Sequence, residues 1–163
     1  MTKLKRLGPV VVLSVLLGAV IALLAGAAAL ATPPKDAVVT PLARASLGQL
    51  EAQHGDVELK RANGEADVAI AKVTLEPGGS TGWHHHPGVT LVSLASGTVT
   101  EYHGDCGKSV LKAGEGFFEA TDKPHTVRNT GSGDAVLYAT FIVPSSTSTE
   151  GLRIDDPQPE NCE

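Results

Sequence analysis

The sequence predicts an all-β fold, a sandwich or barrel of many short strands. Three observations predict it. Beyond the first thirty residues, β-prone runs recur at short intervals and are punctuated by Gly, Pro and Asn-Gly signals. No stretch of useful length there carries a helical period. Val, Ile, Leu and Ala are plentiful although aromatics make up only 4% of the chain, so a compact core is within reach of the composition. At 163 residues there is room for one domain with appendages, and no internal repeat is found.

Residues 1–31 stand apart. Lys3, Lys5 and Arg6 form a basic start, and from Leu7 to Leu30 there is no charge. The run ends in Ala29-Leu30-Ala31, an A-x-A cleavage pattern, and Thr32-Pro33-Pro34 breaks any helix. A cleaved signal peptide and an uncleaved anchor both fit, since a helix rising about 1.5 Å per residue over this run would cross a bilayer of about 30 Å. Both place the rest of the chain outside the cytoplasm, because the basic residues stay inside. No Cys lies near the cleavage point, which argues against a lipoprotein anchor. The expectation is an exported protein, touching a membrane only through this segment.

Residues 32–37 then read as a linker, 38–154 as a single barrel and 155–163 as a Pro-rich tail. Val38 to Ala43 is β-prone, but Pro41 confines it to an edge strand or a strand start. Ser46 to Gly55 reads as a turn or brief helical piece, with His54 alone in it. Val57 to Lys60 alternates, and Asn63-Gly64 turns into a strand from Asp67 to Leu75. Glu76-Pro77-Gly78-Gly79 closes that strand. Val89 to Ala95 is a nearly continuous apolar run, Ser96-Gly97 turns it, and Thr98 to His103 returns in alternation. After the turn Gly104-Asp105-Cys106-Gly107 come short strands at Ser109 to Leu111, Phe117 to Glu119 and His125 to Asn129. A loop at Thr130 to Asp134 precedes the longest β-prone run, Ala135 to Val143. A Ser/Thr-rich connector follows, and Leu152-Arg153-Ile154 offers a last edge strand. This pattern predicts a double-stranded β-helix of the jelly-roll kind.

Three of the six histidines fall together in Trp83-His84-His85-His86. On a strand, residues at i and i+2 face the same way, so His84 and His86 can reach one metal ion while His85 points away. Gly78, His84-x-His86, Thr90 and Gly97, in that spacing, resemble the first motif of the cupin family. Gly114, Pro124-His125 and Asn129 resemble the second, and together they cover about residues 66 to 143. The resemblance implies a cupin barrel with His84, His86 and His125 as ligands of a divalent transition metal (Zn, Fe, Mn, Ni or Cu). Two positions depart from the pattern. Thr90 stands where cupins place a Glu ligand, and the Pro-x-Gly turn is reduced to Ala120-Thr121-Asp122. The expected centre is therefore three histidines with no carboxylate and no evident general base. Thr90, Tyr102, His103 and Asn129 are further candidates for the pocket, and Trp83 is either a pocket wall or core.

Three neutral imidazoles leave coordination positions open for water or a chelating molecule, the layout of a reactive site rather than a closed structural one. A metal-dependent oxygenase, isomerase or lyase, a small-ligand-binding module and a purely structural barrel all remain open, as does a homodimer. G-x-S-x-G, P-loop, H-E-x-x-H and paired C-x-x-C motifs are absent. Beyond residue 31 the chain carries ten basic residues against 18 acidic ones, a net charge of −8, which disfavours nucleic acid and anionic lipid as partners. Cys106 and Cys162 are the only cysteines, and an even count in an exported chain predicts a disulfide between them.

Overall fold

The structure, a computed structural model, describes residues 31–61, 63–119 and 122–162. Residues 1–30 of the segment read as a signal or anchor, and Ala120-Thr121, lie outside the described residues. Among the described residues no helix is long and apolar enough to cross a membrane.

Ten strands form one continuous antiparallel system that folds over as a nearly closed barrel. One sheet has the order β1 (Lys35–Gly48), β4 (Ala66–Ser80), β11 (Ala135–Pro144), β6 (Val89–Ser96), β9 (Gly116–Glu119). The other runs β12 (Ile154–Asp155), β5 (His84–His85), β10 (His125–Asn129), β7 (Thr98–His103), β8 (Lys108–Lys112). The two sheets join where the end of β4 meets β10, at Ser80 and Arg128. The jelly-roll expectation is met.

Period-2 side-chain alternation builds the core. On β11, Ala135, Leu137, Ala139, Phe141 and Val143 face inward, and on β6 Thr90, Val92 and Leu94 do. The run from Val89 to Ala95 is thus apolar on both faces, and Val89 and Leu91 are exposed. Leu75, Val99, Leu111 and Val127 complete the inner layer. Gly97 allows the tight return from β6 to β7: its φ is +89°, and a Cβ there would lie 2.7 Å from the Ala135 Cα.

The region before β4 differs from expectation. β1 begins inside the segment read as linker and continues to Gly48, with a register shift just after Pro41. Among the described residues it borders only β4, so the missing Pro41 N–H breaks no interior ladder there. The piece read as turn or helix, Ser46 to Gly55, instead ends β1 and supplies β2 (Glu51–His54). That strand pairs with β3 (Val57–Lys60) as a separate hairpin through Gly55-Asp56, with Gly55 at φ +58°. His54 lies on this exposed hairpin.

The C-terminal stretch is not a loose tail. A 3₁₀ turn at Glu150–Leu152 leads into β12, whose Ile154 and Asp155 pair with His85 and His84. The Asp156 N–H donates to Trp83 O, and Thr32 N–H donates to Asp156 O. Cys106 and Cys162 form a disulfide with Cα atoms 5.1 Å apart, tying the chain's end to the β7–β8 turn. Residues 149–156 therefore form a strap laid along the histidine strand.

Candidate metal centre

His84 is on β5, His86 follows it, and His125 opens β10 directly opposite His84 in the ladder. All three side chains are buried. Ring centroids lie 4.8 Å apart for His84–His86, 4.4 Å for His84–His125 and 5.2 Å for His86–His125. One ring nitrogen from each falls within 4.8 Å of the others. His85 points away, as the alternation requires, and its Nδ1 lies 2.7 Å from Asp156 on the strap.

Backbone carbonyls fix the tautomers. His84 Nδ1 is 2.8 Å from Gly82 O, His86 Nδ1 2.6 Å from Leu152 O, and His125 Nδ1 3.3 Å from Lys123 O. A carbonyl only accepts, so each Nδ1 must donate, and each neutral ring is left with its Nε2 lone pair facing the others. This is the arrangement in which outer partners orient imidazole ligands.

A carboxylate that the sequence reading did not foresee also reaches two of the histidines. Glu119, the last residue of β9, is buried, with Oε2 3.1 Å from His86 Nε2 and Oε1 3.0 Å from His125 Nε2. Its ladder partner on β6 is Thr90, so the acid enters from the strand beside the position where the sequence pattern expected it. The contact to His125 lies off the line of a hydrogen bond, and that buried Nε2 has no partner. Burial opposes ionisation of Glu119, but His125 and His86 outweigh it and hold the carboxyl down at about 2. Burial likewise disfavours charge on His125, yet Glu119 raises its pKa overall. His84 is held well below its ordinary value, first by burial and then by the charges of His125, Arg153 and His86.

The other pocket candidates separate. Thr90 is fully buried beside Glu119, with its Oγ1 unpartnered. Tyr102 instead stacks under Arg128, whose guanidinium carbon is 4.9 Å from the ring centre. Asn129 does not serve a pocket: its Nδ2 donates to Leu75 O and Gly133 O, each at 2.8 Å, and its Oδ1 accepts from Gly131 N–H. It pins the loop between β10 and β11. Trp83 is fully buried and packs as core. His103 opposes His125 in the ladder and lies 3.7 Å from Glu101, bordering a polar pocket of about 270 Å³ that reaches Glu119 and His125. Glu101 is buried and was not foreseen; burial raises its pKa, against the pull of His103.

On the other side of Glu119, a cavity of about 420 Å³ is lined by His84, His86 and Glu119 and walled by apolar residues such as Val92, Leu137 and Phe141. Arg153, from the strap, also lines it. Its Nε donates to Asp155 Oδ1 at 2.6 Å, while its Nη2 is buried without a partner. Such a volume is in the range of small-molecule sites.

Known proteins resemble this chain in sequence. A family model described as a cupin domain matches residues 71–141, from within β4 to within β11. An oxalate-binding protein of Thermotoga maritima is 32% identical over 104 residues, covering 61% of this chain and 81% of that protein. Among solved structures, a predicted oxalate decarboxylase of Thermotoga maritima is 25% identical, covering 50% of this chain and 82% of its own, with a TM-score of 0.42. A cupin 2 conserved barrel domain protein of Leptotrichia buccalis is 17% identical, covering 65% of this chain and 40% of its own, with a TM-score of 0.45. An oxalate oxidase in complex with glycolate is 23% identical with a TM-score of 0.42; the match covers 45% of this chain and only 41% of the oxidase. The family match over the barrel strands, and the relative matched over four-fifths of its length, carry one conclusion: the chain belongs to the cupin family.

Proposed function

We propose that this protein is an exported cupin that binds a divalent transition metal through the Nε2 atoms of His84, His86 and His125 and the carboxylate of Glu119, and that it binds a small molecule there. The observation that carries the reading is acceptor facing acceptor. The three Nδ1 atoms are committed to carbonyls, so three Nε2 atoms and the carboxyl oxygens of Glu119 converge in a buried space. Such a set is held together by a cation. Nitrogen and oxygen donors in this mixture suit Zn, Fe, Mn, Ni or Cu, whose common binding geometries leave one or more positions free. When bound, the ion would supply Lewis acidity to an oxygen of the ligand.

The chain's own residues do the rest. The carbonyls of Gly82, Leu152 and Lys123 orient the imidazoles. Glu119 offsets one unit of the ion's charge, and the apolar wall excludes water from one side. The name of the oxalate-binding relative supports a small-molecule ligand. Export rests on the basic start and the uncharged run of residues 7–30.

Metal analysis of the chain, purified without a His-tag and reloaded after chelation, tests the metal reading. One bound divalent ion per chain at neutral pH is expected. No uptake at micromolar concentration would overturn it.

A further inference from the structure

The strap brings one more charged group to the cavity. Arg153 is flanked by residues fixed to the histidine strand: Leu152 O accepts from His86 Nδ1, and Ile154 and Asp155 pair with His85 and His84. Its guanidinium is thus positioned by the same backbone that positions the ligands. One edge is engaged with Asp155, yet Nη2 is buried with its N–H groups unmet. The cavity's other arginine is already satisfied. Arg44 donates to Asp67 at 2.8 Å and to Thr147 O at 2.6 Å.

A buried donor on a permanent cation is costly to leave unmade, and a guanidinium matches the planar oxygens of a carboxylate. The surrounding wall is largely apolar, so an anion entering the cavity has few other donors to turn to. We propose that Arg153 is the anion anchor of the site, selecting small carboxylates that hold the metal with one oxygen and meet Arg153 Nη2 with another. This rests on the metal reading above and adds to it the ligand class and the residue that selects it. The anchor sits outside the matched cupin segment of residues 71–141, on the strap tied down by the Cys106–Cys162 disulfide.

The test is calorimetric titration of the metal-loaded full chain with oxalate, succinate and the uncharged diamide oxamide, with metal content measured on the same samples. At least one of the two acids binds, and oxamide binds at least about tenfold more weakly than oxalate. Arg153→Gln weakens acid binding by about 10- to 100-fold, the range of a hydrogen bond to a charged group, and leaves metal content unchanged. Arg153→Lys restores part of the loss, which separates lost charge from lost folding. The proposal is overturned if neither acid binds the metal-loaded chain at millimolar concentration. It is also overturned if oxamide binds as tightly as oxalate, or if Arg153→Gln binds the acids like the wild type. Wild-type chain that takes up no metal overturns the metal reading instead, and the metal measurement tells the two failures apart.

Discussion

Glu119→Gln separates a metal ligand from a structural ion pair. In the metal-free protein the substitution has opposing effects. It removes the carboxylate's attraction for a proton on His125, but it sheds a buried charge and gives the orphaned His125 Nε2 an N–H to accept. Because the carboxyl's pKa is lowered on folding with burial already counted, the first effect wins, and the metal-free variant should melt lower than the wild type at neutral pH. Metal binding should respond far more. Loss of an outer partner of a metal ligand costs about 10- to 100-fold in affinity, and a carboxylate touching the ion should lie at or beyond the upper end. With free metal at about 100 times the wild-type Kd, binding stabilises the wild type by about 2.7 kcal/mol. A hundredfold weaker variant gains only about 0.4 kcal/mol under the same conditions. For a domain of this size that is roughly a 10 °C metal-induced shift in melting point against roughly 1–2 °C. Thermal scans with and without metal, together with competition against a chelator of known affinity, read both quantities. If Glu119→Gln binds metal within tenfold of the wild type, so that its lower metal-free melting point is its whole effect, Glu119 is a strand-holding ion pair and not a ligand.

Two further predictions address the strap and the histidines. Cys106→Ser opens a link between residues 56 apart in sequence and should destabilise by up to about 4 kcal/mol in the chain-entropy model; identical denaturation midpoints for oxidised and reduced wild type would contradict this. In the metal-free chain, the depressed pKa of His84 means the unfolded state takes up the proton first, so its contribution is present above about 6.5 and is lost as pH falls. The raised pKa of His125 acts oppositely: its contribution is full below about 6.5 and fades as pH rises through its folded value. His84→Gln should therefore flatten the acid side of a stability–pH curve, whose slope is at most about 1.4 kcal/mol per pH unit for one proton. An unchanged acid slope in urea denaturation between pH 7 and 5 would refute that assignment.

What the sequence revealed and what it hid follow from the range of the interactions involved. The histidine pair was legible because strand alternation is local: two residues apart means one face. The strands from β6 to β11 were legible because turn residues bracket them, whereas Glu76-Pro77-Gly78-Gly79, read as the turn that closes the strand from Asp67 to Leu75, lies inside β4. β1 to β3 were obscure because the burial signal is missing. Nearly every residue of β1, and all of β2 and β3, is exposed, so no inward stripe distinguishes strand from loop. The strap was obscure for another reason. Its β12 is two residues long, and its position is set by pairing with His84 and His85 some seventy residues earlier, which no local period records.

Glu119 is the most instructive case, because the local signal pointed the wrong way. In Phe117-Phe118-Glu119 a hydrophobicity reading turns the aromatics inward and the acid outward. A strand cannot satisfy both aromatics, since neighbours face opposite sides. Here Phe117 and Glu119 share the inner face, and Phe118 is 69% exposed. Either register exposes one phenylalanine, so what separates the two is the carboxylate, whose burial opposes folding. What compensates is across the ladder and across the barrel. Thr90 beside Glu119 is short enough to share the inner face with it, and His86 and His125 each meet one of its oxygens. The position that the cupin pattern assigns to an acid and the position that holds one here are cross-strand neighbours, whose Cβ atoms in such a pair are about 4.5–5.5 Å apart. An acid side chain is long enough to reach the same point from either strand. On the metal reading proposed above, Glu119 on β9 would take the place that the cupin pattern gives to a residue of β6, which a motif read along a single strand cannot detect.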